Sequence, residues 1–272
     1  MNNYLISEAV GDIAGSVYEF GRKRTKDQSK VKIFAPGVRF TDDTVMTFAC
    51  AEALLDGADP GEVMWRRGRE HPTVGFGGMF RRWLASPSPR PYGSFGNGSA
   101  MRVSAAGWLA SSEEECVRMA TGTALPTHNH PEGVKGAVVT ALAVWHLRQG
   151  ADKQFIRDEV LNRYYPMWAG RSYADIVPGY RFDPTCEGSV GPAIISFIES
   201  SDYEDCIRKA IALGGDADTL AAIAGPMAYA YYGEMPQPLV GRALGMLPGW
   251  MLEVSARLDE RVNGGSRPCS ER

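Results

Sequence analysis

The sequence predicts an all-α protein folded as a compact single-domain helical bundle. Apolar residues recur mainly at three- and four-residue spacing, which is the period of one helix face. No long stretch alternates strictly between apolar and polar residues, so almost no β-strand is expected. A chain of 272 residues without an internal repeat suits one large domain. We predict that this domain covers residues 1–262 and that residues 263–272 form a disordered tail.

Seven segments carry the helical period most clearly. Their faces are rich in glycine and alanine, so we expect the helices to pack closely. Pro226 is expected to bend or break its helix. Turn-rich clusters at 58–62, 86–93 and 234–238 are predicted to be loops within the domain. The predicted helices cover 45–55, 133–147 (apolar nearly all round, hence central and buried), 154–165, 190–200, 203–213, 219–233 and 250–262.

Composition narrows the class of function. The hydrophobic content of 44% is typical of a soluble globular protein, and a net charge of −3 argues against general nucleic-acid binding. No stretch of about 18 apolar residues is present, so no membrane span is expected. The N-terminus lacks the basic and apolar regions of a signal peptide. Five scattered cysteines without a CxxC pair indicate a reducing compartment, and we predict a cytoplasmic protein.

Two acidic motifs stand at predicted helix starts. Either motif alone is explained by helix capping, because threonine suits an N-cap and aspartate favours the positive end of the helix dipole. Together they offer four carboxylates and two hydroxyls, an oxygen-only set that suits a pair of Mg²⁺ or Mn²⁺ ions. We therefore predict a dinuclear metal cleft between them. The motifs comprise Thr41, Asp42 and Asp43 in FTDDTVMT, and Asp216, Asp218 and Thr219 in GGDADTLAAIAG.

Two other acids and two glycine-rich loops add to this set. Asp12 is expected at a helix start as a structural acid, and Glu19 is expected either at the surface or near the site. The loops at 73–83 and 92–103 can cradle an anion with their amides, although turns between helices explain them equally well. The HxH motif of His128 and His130 lacks a third zinc ligand, so a ligand-contacting or loop-stabilising role is favoured.

Five motifs, in their order and approximate spacing, resemble the ADP-ribosylglycohydrolase (ADP-ribosylhydrolase-like) family. They are GDIAGSVYEF, FTDDTVMT, FGNGSAMR, THNHPEGVKGA and GGDADTLAAIAG, and the resemblance spans about residues 7–233. It implies a compact all-α fold, two Mg²⁺ or Mn²⁺ ions in a cleft, and removal of ADP-ribose from protein side chains or related acceptors.

The resemblance also implies roles for individual residues. The implied catalytic residues are Glu19, near the reacting ribose, together with Asp43 and Asp218. The implied metal ligands are Thr41, Asp42, Asp43, Asp216, Asp218 and Thr219. The implied substrate-binding residues are Gly77, Ser94, Phe95, Gly96, Asn97, Gly98 and His128.

The predicted activity is metal-dependent cleavage of the N- or O-glycosidic bond between ADP-ribose and a modified side chain, by a monomeric enzyme. The loop VGFGG (74–78) has no acid where the arginine-specific bacterial branch carries an aspartate, and so looks more like the animal serine-directed branch. Two alternatives stay open. One is a non-catalytic ADP-ribose-binding or crystallin-like structural member. The other is a different Mg²⁺-dependent nucleotide hydrolase, although such enzymes tend to space their acids one helical turn apart.

Overall fold

The structure, a computed structural model, describes residues 2–19 and 23–264. The regular secondary structure of these residues is helical, and loops join the helices. Within those ranges the one pairing of extended backbone is an isolated bridge between Gly96 and Thr185. The predicted all-α class is therefore confirmed. The α-helices are α1 (Ile6–Gly15), α2 (Asp42–Asp56), α3 (Pro60–Glu70), α4 (Gly78–Ala85), α5 (Gly98–Met101), α6 (Ser104–Leu109), α7 (Glu113–Ala124), α8 (Pro131–Arg148), α9 (Lys153–Phe155), α10 (Asn162–Tyr164), α11 (Pro166–Ala169), α12 (Tyr173–Ile176), α13 (Cys186–Ile198), α14 (Tyr203–Ala212), α15 (Ala217–Tyr232), α16 (Gln237–Leu244) and α17 (Gly249–Gly264).

The predicted helices are all present, with ends displaced by a few residues. The predicted segment 154–165 is continuous but contains a π-helical stretch, Ile156–Leu161, between α9 and α10. Two clusters predicted as loops contain helix starts instead. Asp59 caps α3 by accepting from the amide of Glu62, and Pro60 occupies a first-turn position that needs no N–H donor. The segment 234–238 likewise runs into α16.

Helices α1 and α15 approach so closely that only glycine fits at their contacts. A β-carbon on Gly11 would lie 2.2 Å from the carbonyl oxygen of Ala221, and one on Gly15 would lie 2.4 Å from the Cα of Asp218. A β-carbon on Gly225 would meet the carbonyl oxygen of Ser7 at 2.2 Å. The expected close packing through small residues is confirmed, and it brings the end of α1 against the start of α15.

The Gly11→Ala variant is expected to lower the free energy of unfolding by about 2 kcal/mol or more, because its methyl group would overlap backbone that cannot swing away. The matched control is Gly122→Ala in α7, where the added methyl group meets no atom within 4 Å. This control should stabilise the protein by up to about 1 kcal/mol through helix propensity. Urea unfolding of both variants measures the difference, and equal effects would contradict this description of the interface.

Helices α8 and α15 lie at the centre of the molecule. Residues 217–229 of α15 are all buried, and most of α8 is buried as predicted. Pro226 lies inside α15, which continues through it to Tyr232, so the expected break does not occur. Burial on both sides of the proline offsets the one backbone hydrogen bond that it removes.

Three further expectations concern the whole chain. No described helix is long and apolar enough to span a membrane. The cysteines Cys50, Cys116, Cys186 and Cys206 are free and buried, while Cys269 lies outside the described residues. Helix α17 includes the first two residues of the predicted tail, and the rest of that tail, 265–272, also lies outside the described residues.

Candidate functional site

Carboxyl groups from three separate segments meet in one pocket. Asp12, Asp43 and Asp218 each place one carboxylate oxygen within 4.8 Å of the others. Glu19, Asp216 and Asp218 form a second group by the same measure, so Asp218 belongs to both. The pocket therefore lies where the end of α1, the start of α2 and the start of α15 converge.

Asp12 fastens the end of α1 to the start of α2. Its carboxylate accepts hydrogen bonds from the amide of Thr41 at 2.8 Å and the hydroxyl of Thr41 at 2.7 Å. The amide and the hydroxyl of Thr44 also donate to it. The expected position of Asp12 at a helix start is wrong: α1 begins at Ile6, and Asp12 lies in its last turn. The apolar spacing of Ile6, Val10 and Ile13 extends this helix upstream of Asp12.

The two predicted helix starts differ in how they use their polar side chains. Thr41 caps α2, because its hydroxyl accepts from the amide of Asp43. Asp216 is the N-cap residue of α15, but its side chain makes no capping hydrogen bond. Its carboxylate instead accepts from the side-chain amide of Asn97 at 2.8 Å. Asp218 Oδ1 accepts from the first-turn amide of Thr219 at 3.1 Å. Capping therefore explains the threonine of the first motif but not the position of the Asp216 carboxylate.

The described residues of this pocket suit a hard divalent cation. All the donor atoms that converge are oxygens, which Mg²⁺ and Mn²⁺ prefer. Asp43 Oδ1 is buried and has no hydrogen-bond partner among the described residues, a costly state for a carboxylate unless a cation or proton satisfies it. Burial, followed by the charges of neighbouring carboxylates, holds the pKa values of Asp43 and Asp218 well above the usual range.

Glu19 and Asp42 stand at the edge of the same cluster. Glu19 follows α1 and is half-buried, so it is not the surface glutamate that the sequence also allowed. Burial and the charge of Asp216 raise the pKa of Glu19 to about 8, while a hydrogen bond with Asp218 opposes the shift. Burial and the charge of Asp12 raise the pKa of Asp42 to about 7. A β-carbon on Gly75 would lie 3.2 Å from Asp42 Oδ1, so the VGFGG loop borders the pocket.

The glycine-rich loop at residues 94–98 adjoins the acidic pocket. Asn97 connects the two, because its side-chain amide donates both to Asp216 and to Ser189 Oγ. Several amides of the loop are used internally: that of Gly96 donates to Ser94 Oγ and that of Asn97 to the carbonyl of Pro184. The amides of Phe95 and Gly98 make no hydrogen bond within the described ranges, and they can donate to a bound anion.

The remaining predicted substrate-binding residues border this loop or lie near the acids. His128 is buried with its imidazole edge against the loop, since a β-carbon on Gly98 would lie 3.1 Å from Nε2. Phe95 is 51% exposed, and its ring lies 5.4 Å from that of His130. Gly77 is an exposed residue at the start of α4, two positions beyond the glycine that borders Asp42.

Comparison with known proteins identifies the family of this chain. A sequence model of the ADP-ribosylglycohydrolases matches residues 3–267. The chain belongs to this family. The resemblance seen in the motifs is thereby confirmed, and so is the prediction of a glycosidase-type hydrolase.

Individual ADP-ribosylglycohydrolases give a consistent result. The chain is 26% identical over 287 residues to the ADP-ribosyl-[dinitrogen reductase] glycohydrolase of Rhodospirillum rubrum, covering 93% of this chain and 90% of that protein. It is 27% identical over 258 residues to human ADP-ribosylhydrolase ARH3, covering 71% of each. A solved structure titled "ADP-ribosylglycohydrolase-related protein complex" shares the fold, with a TM-score of 0.69 and 24% identity over 96% of each chain.

Divalent-metal affinity is expected to strengthen as the pH rises from 6 to 8. Burial and the charge of Asp12 raise the pKa of Asp42, one of the implied metal ligands, to about 7, so this carboxyl holds a proton over the lower part of that range. A cation has to displace protons from the cluster, so affinity rises as those protons leave. Calorimetric titration with Mn²⁺ should show a dissociation constant that falls by about tenfold or more over this range. In the Asp42→Asn variant the dissociation constant for Mn²⁺ should change less with pH. An affinity of the wild-type protein that does not depend on pH would contradict a metal site at these carboxylates.

Proposed function

We propose that this ADP-ribosylglycohydrolase is a metal-dependent ADP-ribosylhydrolase. It cleaves the N- or O-glycosidic bond between ADP-ribose and a modified protein side chain and releases ADP-ribose. The observation that carries this proposal is the hydrogen bond from Asn97 to Asp216, because it joins the loop at residues 94–98, whose free amides can donate to an anion, directly to a carboxylate pocket. A diphosphate held by the loop would bring the attached ribose to the acids.

The loop supplies the binding half of this proposal. The free amides of Phe95 and Gly98 would donate to phosphate oxygens, and the exposed Phe95 ring offers a face on which a base can stack. Ser94, Gly96 and Asn97 shape the loop through the internal hydrogen bonds described above. The adenine end of the ligand would then lie away from the acidic pocket.

The acidic pocket supplies the chemical half. Thr41, Asp42, Asp43, Asp216, Asp218 and Thr219 would hold two Mg²⁺ or Mn²⁺ ions. When bound, these ions would supply positive charge and Lewis acidity to the pocket. Cleavage of a glycosidic bond builds positive charge at the anomeric carbon. Glu19, half-buried beside Asp218, is placed to exchange a proton with the leaving group as general acid or base.

Two properties of the whole protein complete the proposal. The described cysteines are free and buried, which suits a reducing compartment, and we assign the enzyme to the cytoplasm. We also propose that it acts as a monomer, because the pocket is assembled from segments of one chain.

The assay that tests this function measures free ADP-ribose released from arginine-, serine- and nucleic-acid-linked substrates in parallel. With Mg²⁺ or Mn²⁺ we expect release from at least one protein-linked substrate, and with EDTA we expect the background rate. Tight binding of ADP-ribose without release from any substrate would instead indicate a non-catalytic member. Hydrolysis of free nucleotides alone would indicate the other class of Mg²⁺-dependent hydrolase.

A further inference from the structure

A buried arginine lies behind the glycine-rich loop. Arg102 follows α5, is 1% exposed, and makes no ion pair with any described residue. Its Nη2 donates to the carbonyl oxygen of Thr123 at 2.9 Å and to Oγ1 of Thr127 at 2.8 Å. A guanidinium always carries its charge and can only donate hydrogen bonds. The oxygen of Thr127 is therefore an acceptor in this contact.

The hydrogen of the Thr127 hydroxyl then has one available acceptor among the described residues. Thr127 is fully buried, and the other polar atom within hydrogen-bond distance of its Oγ1 in the described residues is Nδ1 of His128, at 2.7 Å. If His128 Nδ1 carried a proton, the hydroxyl hydrogen would be left unpaired in a buried site. If Nδ1 is bare, every donor and acceptor of the hydroxyl contact is satisfied. The Thr127 hydroxyl therefore donates to Nδ1 of His128.

A bare Nδ1 places the ring proton on Nε2 of a neutral imidazole. Burial and then the charge of Arg102 hold the pKa of His128 well below its usual range, which also favours the neutral ring. Nε2 lies 3.7 Å from where a β-carbon on Gly96 would sit, and closer still to the corresponding point on Gly98. It forms no hydrogen bond with another described residue. The Nε2–H group therefore faces the loop as an unused donor.

We propose that Thr127 and Arg102 are positioning residues that hold His128 as a neutral Nε2–H donor facing the loop at residues 94–98. The choice of ligand rests on the proposed function: the donor would serve an oxygen of the diphosphate or adjoining ribose of ADP-ribose. Arg102 contributes through Thr127, because its guanidinium accounts for one lone pair of the hydroxyl and directs the hydroxyl hydrogen toward the ring.

The tautomer is measured first, in ligand-free protein by ¹⁵N NMR of labelled histidine at pH 7. The chain has four histidines, and loss of one set of signals in His128→Gln assigns the ring. We expect the wild-type ring to show an unprotonated Nδ1 and a protonated Nε2. In Thr127→Val, which removes the hydroxyl at nearly constant volume, this pattern should change to a mixture of tautomers. In Thr127→Ser, which keeps the hydroxyl, the wild-type pattern should be retained.

The consequence for binding is measured by calorimetry with ADP-ribose as the probe. In Thr127→Val only the fraction of rings that carry their proton on Nε2 can donate at once, so the dissociation constant should rise by the reciprocal of that fraction, about twofold to fivefold. Thr127→Ser should bind with the wild-type dissociation constant, because it keeps the hydroxyl that fixes the tautomer. Thr127 is the residue to change, because truncating the buried Arg102 would also leave a cavity and remove the hydrogen bond to the carbonyl oxygen of Thr123. Melting curves of both variants establish that the fold is kept.

Two results would overturn the proposal. One is a wild-type His128 that is charged or carries its proton on Nδ1. The other is Thr127→Val binding ADP-ribose as tightly as the wild-type protein does. Failure of the proposed function appears separately, as wild-type protein that does not bind ADP-ribose, whereas the tautomer is read without any ligand.

Discussion

Replacing Asp218 by asparagine is expected to lower the rate of ADP-ribose release by about three orders of magnitude, the scale of several kcal/mol of lost electrostatic stabilisation. We expect this large effect because Asp218 belongs to both groups of converging carboxylates. One group also contains Asp12 and Asp43, and the other also contains Glu19 and Asp216. No other described acid belongs to both groups. The same change should also abolish most of the thermal stabilisation that we expect Mg²⁺ or Mn²⁺ to give to the wild-type protein.

The size of that stabilisation follows from mass action. A cation that binds only the native state, at a hundredfold excess over its dissociation constant, adds about 2.7 kcal/mol. For a domain of this size such a gain corresponds to about 5–10 °C in melting temperature. Without cations the wild-type carboxylates repel one another, so Asp218→Asn in EDTA should be about as stable as the wild-type protein.

The matched control is an aspartate that caps a helix away from the pocket. Asp202 accepts from the amide of Asp205 at the start of α14, so Asp202→Asn should cost at most about 1 kcal/mol. It should keep the full response to metal and the full rate. If Asp218→Asn behaved like this control, Asp218 would be a first-turn acid and nothing more.

Replacing Glu19 by glutamine is expected to lower turnover by about a hundredfold or more while leaving the melting response to Mg²⁺ or Mn²⁺ largely intact. Glutamine keeps the shape of the side chain but cannot exchange a proton with the leaving group. Steady-state release of ADP-ribose gives the rate, and melting with and without EDTA gives the metal response. Comparison of Glu19→Gln with Asp218→Asn therefore separates proton transfer from metal binding.

Glu159→Gln is the control for this variant, because Glu159 is an exposed glutamate in the π-helical stretch. Its rate should be that of the wild-type protein. A near-wild-type rate in Glu19→Gln would show that Glu19 is not the general acid or base.

The sequence predicted the helical class and the two acidic helix starts because both are local signals. Asp42 and Asp43 follow a capping threonine, and Asp216 and Asp218 precede an apolar run. Whether the second pair caps its helix could not be read from that pattern. The structure answers this through Asn97, which lies 119 residues away and donates to Asp216. Long-range partners of this kind leave no local trace in a single sequence.

The contacts of Asp12 and Arg102 are also long-range and could not be predicted from the sequence. Asp12 lies among the apolar residues of α1, and this placement could have shown that it is buried. Its four hydrogen bonds to the start of α2 depend on how two helices meet. Arg102 ends the motif FGNGSAMR, yet its partner Thr127 belongs to another motif. The sequence supplied both motifs but not the contact between them.

The central claim is that the starts of α2 and α15 form one metal site, and anomalous scattering from Mn²⁺ tests it most directly. Crystals soaked in Mn²⁺ should show two anomalous peaks in the pocket lined by Asp43, Asp216 and Asp218, and the peaks should be absent after soaking in EDTA. Crystals of Asp218→Asn should show weakened peaks or none. An empty pocket in well-diffracting wild-type crystals, or Mn²⁺ bound only at other acids, would contradict the claim.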